Sequence, residues 1–181
     1  MSSFALSDGS DRMMLRCGTE IALRDLLPED QALYPEFHAH VSGSDRRLRF
    51  FSAAPVSERQ MYRLTHFDPR DAVVLAAVGA VDGLLYGVGR IHGIGGGVGE
   101  FAVMVRSDLK VQGLGRRLLE QVIARAPTIG VTEVMGLILR ENTGMLTLAE
   151  ELGFTIRPDP GEIGVMRASL GLSGTPSLLA A

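Results

Sequence analysis

Residues 105–119 read Val105-Arg106-Ser107-Asp108-Leu109-Lys110-Val111-Gln112-Gly113-Leu114-Gly115-Arg116-Arg117-Leu118-Leu119, an apolar run that passes through a two-glycine turn into a helical pattern. Glycine lets backbone come close to a ligand, and a helix N-terminus offers unpaired N–H groups at a positive dipole end. Together they make a cradle suited to a pyrophosphate. The plainer reading is a glycine turn that only redirects the chain. Beyond the turn, Leu114, Leu118, Leu119, Val122 and Ile123 place one apolar face along a helix that Pro127 ends.

Two other phosphate motifs fail here. A P-loop needs a Gly-Lys pair, and no lysine follows any glycine. A dinucleotide fingerprint needs a third glycine where Leu118 stands. The strands before the turn also form a meander rather than opening a β-α-β unit. The glycines of 93–99 open no helix and read as a mobile connection between two strands.

Working outward, 19–26 alternates branched apolar with polar residues and predicts a first strand. Pro28-Glu29-Asp30 opens a helix whose Leu33, Phe37 and Val41 form a stripe. Short helices are expected through 46–51 and 57–67. Strands at 72–78 and 84–92 flank a turn signal at Val81-Asp82-Gly83, and 100–106 adds a third strand. After the glycine turn come a buried strand at 131–139 and a helix lined by Met145, Leu146, Leu148, Ala149 and Leu152, stopped by Gly153. Strands at 154–157 and 163–168 close the chain. The expected fold is mixed α/β: a mostly antiparallel sheet of six to seven strands with helices on both faces. Residues 1–15 read as a disordered leader, 16–169 as the folded domain and 170–181 as a flexible tail.

At 181 residues the chain suits one domain with a sizeable core. A net charge of −3 gives no electrostatic reason to expect nucleic acid, and Lys110 is the only lysine among 18 basic residues. A single cysteine, Cys17, excludes an intrachain disulfide and a cysteine-rich metal site. No signal peptide and no apolar stretch approaching the ~20 residues of a membrane span are evident, so a cytoplasmic protein is expected, with no membrane partner. His38 and His40 stand two apart on a predicted helix and do not share a face as a metal pair would. All four histidines read as surface or loop residues, no metal is expected, and Arg46, Arg47 and Arg49 read first as a solvated helix face.

The 105–119 stretch resembles the acyl-CoA-binding motif of GNAT acetyltransferases: Gln or Arg, two variable residues, Gly, one variable residue, then Gly or Ala. Lys110 stands at the first position, a conservative departure, while Gly113 and Gly115 match. Arg140-Glu141-Asn142-Thr143-Gly144-Met145 through Gly153-Phe154 resembles the family's second motif, with Gly-Phe eleven residues after the asparagine. Asp108-Leu109-Lys110, Arg140-Glu141-Asn142 and Leu48-Arg49-Phe50-Phe51 are similar to the acetyltransferase domain of bacterial Pat-type protein-lysine acetyltransferases, over 19–169.

That resemblance implies a GNAT-like fold, acetyl-CoA as cosubstrate and an amine acceptor. The acceptor would be a protein lysine, on a substrate such as an acyl-CoA synthetase. The enzyme would act as a monomer or homodimer. It also implies that Glu100 is the general base; the motif Gly99-Glu100-Phe101-Ala102-Val103 would set that carboxylate in an apolar strand, where burial tunes a base toward the working range. The backbone of Met104, Val105 and Arg106 would contact the pantetheine arm. Backbone N–H groups of Gln112, Gly113, Leu114, Gly115, Arg116, Arg117 and Leu118 would take the pyrophosphate. The Arg116 and Arg117 side chains could reach phosphates or simply be solvated, and Asn142 either bonds pantetheine or caps a helix.

One departure stands out. Many GNAT enzymes carry a tyrosine acid seven residues after the motif asparagine, and Ala149 occupies that position here. Cys17 has no adjacent basic or histidine pattern, so a covalent route through it is not expected. Acetylation of a small amine, and a catalytically silent acyl-CoA sensor, remain the other readings.

Overall fold

The computed structural model describes residues 11–172. Its strands are β1 (Asp11–Met14), β2 (Glu20–Asp25), β3 (Ala72–Gly79), β4 (Leu85–Gly95), β5 (Val98–Val105), β6 (Glu133–Leu139), β7 (Thr155–Pro158) and β8 (Val165–Gly171). The helices are α1 (Tyr34–Ala39), α2 (Gly43–Phe50), α3 (Glu58–Thr65), α4 (Leu114–Arg125) and α5 (Thr143–Glu151). The sheet order is β1-β2-β3-β4-β5-β6-β8-β7, antiparallel throughout except for β5 beside β6. The fold class is as expected, with eight strands rather than six to seven.

The additional strand is β1, which lies inside the stretch expected to be a disordered leader and pairs with β2 from Asp11↔Leu23 to Met14↔Glu20. Its sequence, Asp-Arg-Met-Met, has no β-branched residue, so only the β2 edge reveals it. The expected leader over 1–10 lies outside the described residues, as does most of the tail, although β8 continues through Gly171. The glycine stretch 93–99 is also more ordered than expected: β4 continues to Gly95, turns through Gly96-Gly97 and re-enters as β5. The glycines adopt positive φ at that turn instead of forming a long connection.

Two cores sandwich the sheet. On one face α4 and α5 pack through Leu114, Leu118, Leu119, Val122 and Ala149 against Ile91, Phe101 and Val134. On the other, Tyr34, Phe37 and Val41 cover Val74, Ala76, Val88 and Met104. Strand alternation sorts β5 between them: Phe101 joins the first core and Met104 the second. α4 approaches closely because β4 presents glycines beneath it; a Cβ on Gly87 or Gly89 would lie 3.0 Å from Leu118. Among the described residues no helix is long and apolar enough to cross a membrane.

Candidate active site: a glycine turn and a parted strand pair

The parallel contact between β5 and β6 is brief. Only Val98↔Glu133, Gly99↔Val134 and Glu100↔Met135 pair, although β5 runs on to Val105 and β6 to Leu139. Beyond Glu100 the strands part, and Phe101 marks the place. A Cβ on Gly136 would lie 2.4 Å from the Phe101 ring, which packs edge-on against Phe154 at 5.2 Å between centroids. A cavity of about 290 Å³ opens there, lined by α2 (Leu48, Arg49, Phe50), by β5 from Glu100 to Val103, by Leu137 and Ile138 of β6, and by Asn142 and Met145. The parted edge leaves β5 backbone polar groups without β6 partners, open to an amide-bearing arm. A larger groove of about 470 Å³ lies elsewhere, between the 28–33 turn, α3 and the end of α4, and contains none of the expected residues.

At the other end of β5 the glycine turn has the geometry of an anion cradle. Gly113 caps α4 in the left-handed region (φ +86°), and Val111, two residues earlier, is left-handed too (φ +57°). A β-branched residue rarely adopts that conformation, and such strain concentrates at functional sites. The first helical bond of α4 runs from Arg117 N–H to the Gly113 carbonyl. The N–H groups of Leu114, Gly115 and Arg116 therefore precede the helix ladder and point out at its positive end. Leu114 and Leu118 are completely buried, and the Arg117 N–H is engaged by Gly113 with Leu118 one residue further into the helix, so the open N–H groups end at Arg116 rather than at Leu118 as expected.

The turn is braced on both sides. Gln112 accepts a hydrogen bond through Oε1 from the Cys17 N–H at 3.2 Å. Lys110 pairs with Asp45 of α2, and Ser107 donates to the other Asp45 oxygen at 2.5 Å. Burial alone would raise the Asp45 pKa, but hydrogen bonds from Lys110, Ser107 and Ser42 outweigh it and leave it lowered. The sequence carried no signal for this link between α2 and the turn, which spans 65 positions.

The other expected site residues divide. Met104 and Val105 lie on β5 beside the cavity; Arg106 follows, its side chain held by Asp108 at 2.9 Å and stacked over Tyr86. Arg116 pairs with Glu120 and Glu151, and Arg117 with Asp11 at 2.5 Å, so both side chains are engaged by carboxylates. Asn142 does cap α5, accepting from the Met145 N–H at 3.3 Å, and it also lines the cavity. Glu100 lines the cavity as well, but the burial expected from its apolar neighbours is absent: its side chain is exposed. Alternation turns it away from the core that receives Phe101, toward the open mouth. His38 departs from the surface reading. It is half-buried among Tyr34, Phe37 and Phe50, with both ring nitrogens enclosed and unbonded.

An anion cradle at a helix N-terminus and, toward the other end of β5, a slot beside two parted strands suit an extended ligand that carries phosphate. The sequence profile of the Acetyltransferase (GNAT) family matches residues 35–154, more than half of the chain, and the protein belongs to that family of acetyltransferases. Its structure is similar to the GNAT domain of S. lividans PAT, with a TM-score of 0.81 and 27% identity over 90% of this chain and 97% of that one. The yncA protein of Salmonella typhimurium, solved with acetyl-CoA, shares the fold at TM-score 0.65 and 18% identity, over 89% and 99% of the two chains. A cAMP-binding acyltransferase from Mycobacterium smegmatis matches at TM-score 0.62 and 20% identity, over 95% of this chain but 50% of that one.

Proposed function

We propose that the protein transfers an acetyl group from acetyl-CoA to a protein lysine, with Glu100 as general base. The observation that carries this reading is the position of Glu100 at the last β5–β6 pair, where the cavity opens. The backbone N–H groups of the Gly113–Arg116 turn would hold the pyrophosphate, and the parted edge from Ala102 to Arg106 the pantetheine arm. Acetyl-CoA supplies an activated thioester. The protein's part is to align it and to manage one proton.

An ammonium cannot attack, and a lysine with a reference pKa of ~10.4 is almost wholly protonated at neutral pH. Glu100 accepts the proton that the ammonium must lose before attack; once the N–C bond has formed and the C–S bond has broken, the second nitrogen proton passes to water. The exposure of Glu100 lets it return its own proton to water as well. Ala149 is completely buried and carries no hydroxyl, so the proton for the departing thiolate comes from solvent or from an acid elsewhere, not from this position. The protein-lysine acceptor draws support from the likeness to the S. lividans PAT domain.

The test measures free-thiol release with a purified acyl-CoA synthetase and with a pooled panel of small amines. Turnover on the protein alone supports lysine acetylation. Turnover on a small amine alone keeps the chemistry and replaces the acceptor. Acetyl-CoA binding with silence on both favours a sensor.

A further inference from the structure

Arg49, on the last turn of α2, lines the same cavity as Glu100 and is half-buried there. Its guanidinium carbon lies 4.8 Å from the centre of the Phe50 ring. Behind it a smaller cavity holds Arg90 of β4, with Tyr34 and His38. Arg90 donates to the Leu64 carbonyl at 2.5 Å. Among the described residues no carboxylate forms an ion pair with either arginine. Burial and the neighbouring Arg90 push Arg49 down to about 10, which still leaves it charged at neutral pH.

Two guanidiniums and one carboxylate give this end of the cavity a net positive charge. Half-buried cations without a counter-ion are costly, and five N–H donors in a fixed fork suit a carboxylate. Glu100 is close enough for its charge to be felt at Arg49, yet the two form no ion pair. The cavity thus offers an acceptor for an amine proton and, beside it, an unengaged fork for an anion. An acceptor presenting both groups matches that arrangement better than a bare amine, which Arg49 and Arg90 would repel.

We propose that Arg49 binds a carboxylate carried by the acceptor next to the amine that faces Glu100. This rests on the reading of the cavity as the acetyl-transfer site. In a protein acceptor the carboxylate is an Asp or Glu flanking the target lysine; in a free amino acid it is the α-carboxylate. Histidine adds no competing charge, because burial, with Arg46 beside it, holds His38 down to about 4.

The test measures kcat/KM of the full chain at saturating acetyl-CoA for two matched pairs. One pair is a lysine peptide with Glu, or with Gln, next to the lysine; the other is free lysine and lysinamide. The expected wild-type preference for the carboxylate-bearing member is about tenfold, the size of one charge-assisted hydrogen bond, and lies in KM. A preference in the peptide pair assigns the carboxylate to a protein acceptor, and one confined to the free-lysine pair assigns it to an amino acid. Arg49→Gln should bring the ratio close to one, and Arg49→Lys should keep part of it. A wild-type ratio near one in both pairs, a ratio that survives Arg49→Gln, or no turnover of any carboxylate-bearing acceptor overturns the proposal. Glu100→Gln run on the same pairs reports separately on the base: persistent turnover would remove Glu100 while leaving the Arg49 ratio readable.

Discussion

The Phe101 ring stands where a side chain on residue 136 would have to be: a Cβ on Gly136 would meet ring atoms at 2.4, 2.7 and 2.8 Å. The contact lies one residue past the last β5–β6 pair, Glu100↔Met135. The ring therefore covers the Gly136 backbone from the core face at the point where the strands part, and Gly136 is the position that accommodates it.

Gly136→Ala should accordingly push the Phe101 ring off Phe154 and into the cavity. Overpacking of this kind costs ~1–3 kcal/mol. Chemical denaturation should show that loss, and calorimetry should show weaker acetyl-CoA binding. Unchanged stability and affinity would mean that the Phe101 ring is not confined by residue 136.

The glycine turn yields a pair of predictions of opposite sign. No atom lies within 4 Å of a Cβ built on Gly113, so Gly113→Ala meets no clash and only the strain of φ +86°. That strain is ~1–2 kcal/mol, and it should appear as weaker acetyl-CoA binding with a small fall in Tm. Val111, 92% exposed at φ +57°, should gain by exchange for a residue that tolerates the left-handed region. Val111→Asn should raise Tm; a fall would contradict the turn geometry.

His38 makes stability depend on pH. Burial, with Arg46 adding to it, lowers its folded pKa to about 4 from an ordinary 6.5. The unfolded chain therefore binds the proton more readily, and stability falls as pH drops from about 6.5 toward 4. His38→Phe should flatten that part of a Tm-against-pH profile. An unchanged slope would place the dependence on other groups.

Much of this was legible in the sequence because it is local. The turn at 110–117 and the helix stops at Pro127 and Gly153 declare themselves in a few residues, and periodicity located seven of the eight strands within a few positions. What was hidden is what only the tertiary fold creates. The Asp45–Lys110 link and the Phe101–Gly136 contact join distant segments. Apolar neighbours suggested a buried Glu100, yet strand alternation at a cavity mouth exposes it. Arg49 resembled a solvated helix residue until β5 was set against α2.

The measurement that bears most directly on the proposed chemistry compares wild type with Glu100→Gln. Acetyl-CoA affinity comes from calorimetry, and turnover from free-thiol release with an acceptor that the wild type uses. Loss of one positioned general base should lower kcat by roughly 10²–10⁴-fold, with acetyl-CoA affinity within about twofold of wild type, since the glycine turn proposed to hold the cofactor lies at the other end of β5. Turnover within a few-fold of wild type would contradict a general-base role for Glu100.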